Sequence, residues 1–429
     1  MIKLFFDERG ISLIMTIIAG LFLSILGYVT ISTVVTDSRL GARSLNSSQA
    51  FWLAESGLEL TYRWLQFQDP PPGGTAAFLH YNQYPEGGGT YTVTVDPDNG
   101  NPGTYLKKYK IISVGKVDLT VRQLEIEMQT TTFNKFGYLT GDEGGTIWFN
   151  TGDLLEGPIH SNDQISILGS PVFMGKVTST EDTFNQGSPF NPDFQAGYQL
   201  GVPPVIFPTE QDVMDNYWSE NTLPPGLIID ATFGKKCDMR FKANGTLEYD
   251  VWHWDDGDKV YDIQNQVEVL DSLRGFISVD GHVKIEGIVN GAVTLFATKK
   301  IKIKKDIVYL QSDGNGKPLP GCDDYLGLIA KTDVLILNNV WNQNDVIINA
   351  AILTLGDSFT VQNYASGSPR GDLTIYGSLS QLVRGPVGTT FPTGYQKDYH
   401  YDDRFVNTPP PYYPSVGKYH YLYWKEVTN

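Results

Sequence analysis

The clearest pattern in the chain is an uninterrupted apolar run near its start. Between Gly10 and Thr36 no charged residue occurs, and most of the residues are aliphatic. As an α-helix, the 25 residues from Ile11 to Val35 reach about 37 Å, which exceeds the roughly 30 Å hydrocarbon core of a bilayer. The run therefore predicts one membrane-spanning helix, whose backbone hydrogen bonds are all satisfied within the helix.

The helical period continues beyond the apolar run. From Asp37 to Phe67 apolar residues recur at spacings of three and four, and they are Phe51, Ala54, Leu58, Tyr62 and Leu65. Glu59 and Arg63 lie outside this stripe, four positions apart, where opposite charges attract. We therefore predict one helix over residues 11–68, membrane-spanning first and amphipathic afterwards.

The pattern changes to alternation after a Pro- and Gly-rich linker at 69–74. Three alternating runs follow, at Thr90–Val95, Tyr105–Val114 and Leu119–Thr130, with turn sequences between them. A period of two predicts strands, and the short connections predict an antiparallel meander over residues 69–134. The helix and the meander together predict an α+β unit.

Beyond the meander the chain consists of many short apolar runs separated by Gly or Asn turns. Each run places a pair of β-branched residues on one side, as in Val283 with Ile285 or Val334 with Ile336. Such strands are typical of the rungs of a β-solenoid, in which each rung stacks on the next. A mainly-β domain is therefore predicted, with a parallel β-helix as the first interpretation and a β-sandwich as the alternative.

The boundaries of this domain follow from the rhythm of the runs. We predict the solenoid over residues 135–385, and an excursion at about 201–261 where the rhythm breaks. The Pro-rich tail at 386–429 is predicted to lie extended over the solenoid as a cap.

The charge of the chain limits its partners. The net charge is −16, and it belongs to the part after the apolar run, because Lys3 and Arg9 balance Asp7 and Glu8. An acidic exterior argues against a nucleic-acid partner, whose phosphates require Lys and Arg.

The remaining composition fits a turn-rich β protein on a cell surface, with 44 Gly and 24 Tyr residues. Only two cysteines occur, Cys237 and Cys322. Two cysteines cannot make a disulfide framework, and a single bond or two buried free thiols are both open.

The order of the N-terminal signals carries a family resemblance. A charged leader over residues 1–10 ends in Asp7-Glu8-Arg9-Gly10, and the apolar helix follows it directly. This order resembles the class III signal of type IV pilins and of the pseudopilins of type II secretion. The resemblance implies that a prepilin peptidase cuts between Gly10 and Ile11, and that the helix later packs in the core of a filament.

One residue departs from the pattern of major pilins. Met15 stands where they carry a Glu that neutralises the new amino terminus of a neighbouring subunit. Its absence is a feature of minor, low-copy subunits. A single-pass anchor without cleavage is the alternative, and the positive charges flanking the helix do not decide between the two.

A second motif supports the resemblance more specifically. The string from Ala50 to Leu58 resembles the Ala-x-x-x-Ala-Glu-x-Gly-Leu motif of X-type minor pilins. Small residues at Ala50, Ala54 and Gly57 let another backbone approach the helix closely, and Glu55 offers a charge for an intersubunit or capping contact. Docking of the helix on its own sheet explains the small residues equally well.

The β domain resembles an uncharacterised bacterial envelope domain that follows such N-termini. The resemblance spans most of residues 136–425 and implies a location and a shape, without a known chemistry. The segments that carry it are Gly157–Asn162, Arg384–Thr389, Gly394, Tyr395, Lys397, Tyr399–Asp402, Pro409–Pro411 and Tyr413–Pro414.

Catalytic and metal motifs are absent from the sequence. The six histidines are scattered without a His-Glu-x-x-His motif, the Gly169 to Lys176 segment fails the spacing of a P-loop, and no Gly-x-Ser-x-Gly occurs. We therefore expect no enzyme activity and no cofactor. Oxygen-rich loops make weak calcium candidates of Asp255, Asp256, Asp258, Asp313 and Asn315.

Two functional hypotheses follow. The first is a minor pilin-like protein of the inner or cytoplasmic membrane that primes or enters a filament and displays the β domain outside the cell for assembly or adhesion. Its partners would be prepilin peptidase, other pilin-like subunits and the membrane. The second is a membrane-anchored protein that binds or degrades surface polysaccharide at the acidic and aromatic cluster of residues 250–261.

Overall fold

A computed structural model of the chain describes residues 8–68, 76–97, 108–214, 226–391 and 393–427, with side chains from residue 12 onward. The predicted leader lies outside the described residues as far as position 7, and the predicted linker at 69–74 lies outside them completely. The chain divides into two units. Unit 1 contains residues 1–100, 108–129 and 421–429, and unit 2 contains residues 101–107 and 130–420.

The helical and extended segments are as follows. The long helix is α1 (Glu8–Gln66), the 3-10 turns are Phe133–Lys135, Leu270–Leu273 and Asp403–Val406, and residues 210–214 are also helical. The strands are β1 (Phe78–Glu86), β2 (Gly89–Pro97), β3 (Lys108–Val117), β4 (Thr120–Thr132), β5 (Tyr138–Asp142), β6 (Leu154–Leu155), β7 (Ile159–Ser161), β8 (Ser166–Gly169), β9 (Val172–Phe173), β10 (Val177–Ser179), β11 (Asn185–Phe190), β12 (Asp193–Phe194), β13 (Tyr198–Gln199), β14 (Leu227–Ala231), β15 (Lys236–Lys242), β16 (Thr246–Asp255), β17 (Asp258–Val269), β18 (Phe276–Gly281), β19 (Val283–Val289), β20 (Ala292–Ala297), β21 (Ile301–Tyr309), β22 (Tyr325–Ala330), β23 (Val334–Ile336), β24 (Val346–Thr354), β25 (Phe359–Val361), β26 (Pro369–Val383), β27 (Gly394–Tyr401) and β28 (Ser415–Val427).

The first half of α1 presents its apolar side chains to the surroundings. Leu13, Phe22 and Tyr28 are 64%, 63% and 75% exposed. Among the described residues one helix is long and apolar enough to cross a membrane, and it is this one. The predicted N-terminal apolar helix is therefore confirmed, and it is compatible with single-pass membrane anchoring.

The second half of α1 packs on an antiparallel sheet. The predicted meander is confirmed in β2, β3 and β4, which pair antiparallel in that order, and β1 adds a strand on the outer side of β2. The last strand of the chain, β28, lies beside β4. The C-terminal residues were predicted to be an extended cap, and for β28 this was wrong, because its alternating sequence completes the sheet.

Small residues set the distance between α1 and this sheet. Ala50 and Ala54 are fully buried. A β-carbon added to Gly115 would lie only 1.9 Å from the backbone oxygen of Ala50. A β-carbon on Gly57 would lie 2.6 Å from the hydroxyl of Ser113 in β3. The small residues were explained either by contact with another subunit or by docking of the helix on its own sheet. In the structure they contact the sheet of the same chain.

A buried carboxylate links β28 to the sheet. Glu125, 6% exposed, accepts a hydrogen bond from Tyr423 at 2.7 Å and forms ion pairs with Lys110 at 3.1 Å and Lys425 at 3.0 Å. Burial alone would raise the pKa of Glu125. The hydrogen bonds from Tyr423, Lys425 and Lys110 outweigh it and lower the pKa to about 2.

Unit 2 consists mostly of parallel strands. Its longest ladder runs through β14, β18, β20, β22, β24, β26, β5, β7, β10 and β13. At about 4.8 Å per strand, ten strands span about 43 Å. Because β5 pairs with β26, the strands that come first in the sequence of the unit extend the stack formed by the strands that come last. The two ends of the stack are β13 and β14.

Two further ladders accompany the first. One joins β15, β19, β21, β23 and β25, and the other joins β26, β27, β6, β9 and β12. The predicted inward pairs are confirmed as buried columns, since Val283 aligns with Ile301 and Val334, and Ile285 aligns with Ile303 and Ile336. Apart from the ends of β4 and β28, which belong to the sheet of unit 1, antiparallel pairing of named strands, which a β-sandwich requires, is confined in the described part of unit 2 to β15, β16 and β17.

The middle strands of the longest ladder, β20, β22 and β24, are buried on both faces. Leu295 and Ala297 of β20 belong to the core inside the stack, while Phe296 belongs to a second core outside it. Phe405 and Tyr413 from the C-terminal segment cover this outer face. Burial on both faces explains the continuous apolar runs of these strands, as in other parallel sheets.

Two predicted boundaries in unit 2 need correction. The excursion predicted at 201–261 is interrupted, because β14 and β15 pair in parallel with β18 and β19 and belong to the stack. The true departure is the hairpin of β16 and β17. The cap predicted at 386–429 begins too early, since β27 pairs with β26 and β6 as part of the stack.

Replacing Gly115 with Ala should loosen the docking of α1. The added β-carbon meets backbone rather than a flexible side chain, so the cost should be about 1–3 kcal/mol. Hydrogen–deuterium exchange of peptides covering residues 50–66 should become faster. Gly41→Ala is the matched control, because nothing lies within 4 Å of its β-carbon and the same peptides should keep their protection. Unchanged protection in Gly115→Ala would contradict the close approach.

The pKa of Glu125 makes the stability of unit 1 dependent on pH. Its pKa is near 2 in the folded state and about 4.3 unfolded, so its contribution is complete above about pH 4.3 and is lost as the pH falls toward 2. At pH 7 we expect Glu125→Gln to cost about 1.5–3 kcal/mol in urea unfolding and to flatten the decline below pH 4.3. Glu59→Gln, at an exposed position of α1, should leave both unchanged.

Candidate functional site

A cleft of about 760 Å³ opens in unit 2 where the earliest strands meet the latest ones. Its wall comes from three segments that are distant in sequence, at residues 144–153, 364–372 and 383–397. The first segment follows β5 and the third follows β26, so the pairing of those two strands brings the walls together.

A buried ion pair lies behind the cleft. The Nη1 atom of Arg384 donates to Oε2 of Glu143 at 2.5 Å, and the two side chains are only 1% and 2% exposed. The other carboxylate oxygen of Glu143 accepts hydrogen bonds from the hydroxyls of Thr140 at 2.5 Å and Ser161 at 2.8 Å. The carboxylate is therefore fully engaged.

The guanidinium of Arg384 is less completely satisfied than its partner. It stacks over the ring of Phe149 with 3.7 Å between its carbon and the ring centre. Its Nε and Nη2 atoms have no hydrogen-bond acceptor among the described residues. Burial would lower the pKa of Arg384, but Tyr138 and Glu143 outweigh it, so the pKa is raised and the group stays charged.

A second buried pair lies beside the first. The amine of Lys397 donates to Oδ2 of Asp153 at 2.6 Å, with side-chain exposures of 12% and 6%. Oδ2 of Asp153 also accepts the backbone N–H of Asn150 at 2.9 Å. Burial lowers the pKa of Lys397, and the Asp153 carboxylate opposes that shift. Both charges of each pair are thus neutralised locally.

The rest of the cleft wall mixes polar, aromatic and aliphatic residues with the carboxylate of Asp372. It includes the side chains of Trp148, Asn150, Thr151, Tyr364, Thr389 and Gln396. Gln396 lies directly over Gly152, where a β-carbon would come within 1.8 Å of its amide nitrogen. The buried hydroxyl of Tyr395 donates to the backbone oxygen of Asn342 at 2.7 Å, which fixes that ring. Side chains of these types can form hydrogen bonds and ring contacts with a ligand.

The acidic residues singled out in the sequence lie elsewhere. Asp255 and Asp258 face each other across the tip of the β16–β17 hairpin, with Asp256 and Gly257 at positive φ in a tight turn between them. They are exposed at this tip. Asp313 uses one oxygen to accept the backbone N–H groups of Asn315 and Lys317, both at 2.9 Å, so this loop is a self-contained turn.

The structure does not bring the calcium candidates together. Among the described residues no three His, Cys, Asp or Glu side chains converge as metal ligands would. Calcium binding at Asp255, Asp256, Asp258, Asp313 or Asn315 therefore stays a prediction. Cys237 and Cys322 are both buried and free, which is the second of the two alternatives.

Trp252 and Asp250 of the 250–261 cluster have structural partners, while Trp254 and Tyr261 are exposed. Trp252 is buried, and its indole N–H donates to Asp238 at 3.0 Å. Asp250 forms an ion pair with Arg240 at 2.9 Å and accepts the backbone N–H of Asn265 at 2.7 Å. These contacts hold the hairpin on the stack.

Sequence reasoning did not find the buried pairs or the cleft. Glu143 and Arg384 are 241 residues apart, and nothing local to either predicts the contact. A weak signal existed in the segments Arg384–Thr389, Gly394, Tyr395 and Lys397, which carried the envelope-domain resemblance and which the structure gathers in the cleft wall.

Comparisons with known proteins match part of the chain to a family model and align the chain with a solved structure. A family model described as a domain of unknown function (DUF4900) matches residues 91–181. No curated protein matches the chain. Among solved structures, the competence-associated pilin ComZ from Thermus thermophilus aligns at 12% identity and a TM-score of 0.34, over 89% of this chain and 97% of that chain. A TM-score this low supports no conclusion about fold or function.

The buried pair at the cleft should be costly to break. Replacing Arg384 with Met leaves the Glu143 carboxylate buried without its partner, and we expect a loss of about 3–5 kcal/mol in urea unfolding of the full chain. The double replacement with Glu143→Leu should recover much of this, because no unpaired charge remains. Lys235→Met, which breaks the exposed pair with Asp230, should cost less than about 1 kcal/mol. Equal losses of unfolding free energy in Arg384→Met and Lys235→Met would contradict the high cost expected for breaking the Arg384–Glu143 pair.

Proposed function

We propose that the chain is a membrane-anchored, non-enzymatic minor pilin-like subunit that enters or primes a type IV pilus-like filament and displays unit 2 outside the cell. The observation that carries the proposal is the division of α1 into two halves. The first half has an exposed apolar surface, and the second half packs on an antiparallel sheet. This layout, preceded by a charged leader ending in Gly10, is the layout of pilins.

The exposed half of α1 requires an apolar environment. Leu21, Ile25 and Val29 are each more than half exposed within the chain, and burying such a side chain is worth about 1.5–3 kcal/mol. A bilayer supplies this environment before assembly, and neighbouring helices supply it in a filament. In the proposal, this segment lies first in the bilayer and later against neighbouring helices of the filament.

The second half of α1 leaves a limited surface for neighbours. Its small-residue face, with Ala50, Ala54 and Gly57, is occupied by the sheet of unit 1. The opposite face exposes Trp52 at 65% and Leu60 at 41%. Contacts with other pilin-like subunits are therefore proposed on this outer face and on the apolar first half.

Unit 2 is proposed to be a parallel β-helix that serves as the displayed part. Support comes from its three parallel ladders and its buried aliphatic columns. The net charge of −16 suits exposure to water and disfavours nucleic acid as a partner. No cofactor is part of the proposal.

Processing by a prepilin peptidase tests the proposal directly. In cells that contain the peptidase, the intact mass of the purified protein should correspond to a chain beginning at Ile11. Gly10→Leu should block this cleavage, because the bulky residue replaces the small one before the cut. Gly20→Ala, within the apolar run, has free space around its β-carbon and should be cleaved normally. Retention of residues 1–10 in the unsubstituted protein would reject the pilin-like role and leave a simple membrane anchor.

A further inference from the structure

We propose that the cleft of unit 2 binds a neutral oligosaccharide segment. This assignment concerns a site distinct from the hairpin at 250–261 and does not depend on how the N-terminal helix is processed. It follows from the size of the cleft, the chemistry of its wall and the local neutralisation of its charges.

The size of the cleft fits a small-molecule or oligomer segment. Its volume of about 760 Å³ lies within the range of about 300–1,000 Å³ that is common for ligand sites. Its walls come from separate turns of the stack and are anchored by buried ion pairs. The site is therefore formed before a ligand arrives, which reduces the entropy cost of binding.

The wall chemistry matches the surface of a sugar. Hydroxyl and amide side chains, among them Asn150, Thr151, Thr389 and Gln396, donate and accept hydrogen bonds as sugar hydroxyls require. Trp148 and Tyr364 add aromatic surface, which packs against the apolar C–H face of a sugar ring. This combination suits a ligand with many hydroxyls and flat apolar faces.

The electrostatics of the wall favour an uncharged ligand. The cations in the described wall, Arg384 and Lys397, are each paired with a buried carboxylate. Asp372 adds a further carboxylate at the rim, and burial together with Asp345 and Asp398 raises its pKa. An acidic polysaccharide would find no unpaired cation here, while a neutral one needs none.

Calorimetric titration of the full chain in detergent tests the assignment. The probes are three neutral hexasaccharides, namely cellohexaose, maltohexaose and the hexamer of N-acetylglucosamine, and one acidic one, hexagalacturonate. At least one neutral probe should bind with a dissociation constant below about 1 mM. Trp148→Ala and Gln396→Ala should each weaken this binding about tenfold, and Gln396 is exposed, so its replacement leaves the fold intact.

Trp254→Ala is the matched control, because Trp254 is 57% exposed on the β16–β17 hairpin, away from the cleft. It should leave the binding constant unchanged. The assignment is overturned if none of the neutral probes binds, if only hexagalacturonate binds, or if Trp254→Ala weakens binding while Gln396→Ala does not. Cleavage after Gly10 is measured separately by mass. Failure of sugar binding would therefore leave the proposed pilin-like role untouched, and failure of cleavage would leave the sugar-binding assignment untouched.

Discussion

The pairing of β5 with β26 is the contact on which unit 2 depends. It aligns Leu379 with Tyr138 and Gln381 with Thr140. One stack of strands thus continues between two segments that are distant in sequence. Closing so long a loop costs entropy, although that cost grows only slowly with length. Each parallel strand added afterwards recovers it by extending aliphatic columns that already exist. The join therefore converts two separate runs of strands into one core.

Buried charges fix the register of this join. A slip of one residue in a strand would turn its core-facing side chains outward, and here it would also separate Arg384 from Glu143. Unpaired charges in the interior cost far more than mismatched apolar residues. Lys397 and Asp153 apply the same constraint to the neighbouring pairing of β27 with β6. We infer that these pairs contribute more to the uniqueness of the stack than to its stability, and the cleft exists only in the register that they select.

Sequence reasoning reached the parts of the fold that local periods encode. The apolar run, the helical stripe through Leu58 and Leu65, the meander and the inward pair at Val283 and Ile285 all follow from spacings of two, three or four. The join of β5 to β26, the return of β28 and the cleft depend on residues far apart in the chain, and no local pattern encodes them. The partners of Asp250 and Trp252 in the 250–261 cluster could not be predicted for the related reason that only the folded chain supplies them.

The two halves of α1 place opposite demands on their surroundings, and this limits how the chain can assemble. The side chains of Leu13 to Val35 gain nothing from water, while the acidic β-rich remainder gains nothing from lipid. Because Gly57 and Gly115 already bring helix and sheet into backbone contact, the small residues are not available to a second subunit. In the proposed filament, a neighbouring helix would therefore approach the apolar first half or the face of Trp52. In that filament the contacts of the first half would depend on shape and apolar area, since no charged residue occurs between Gly10 and Thr36.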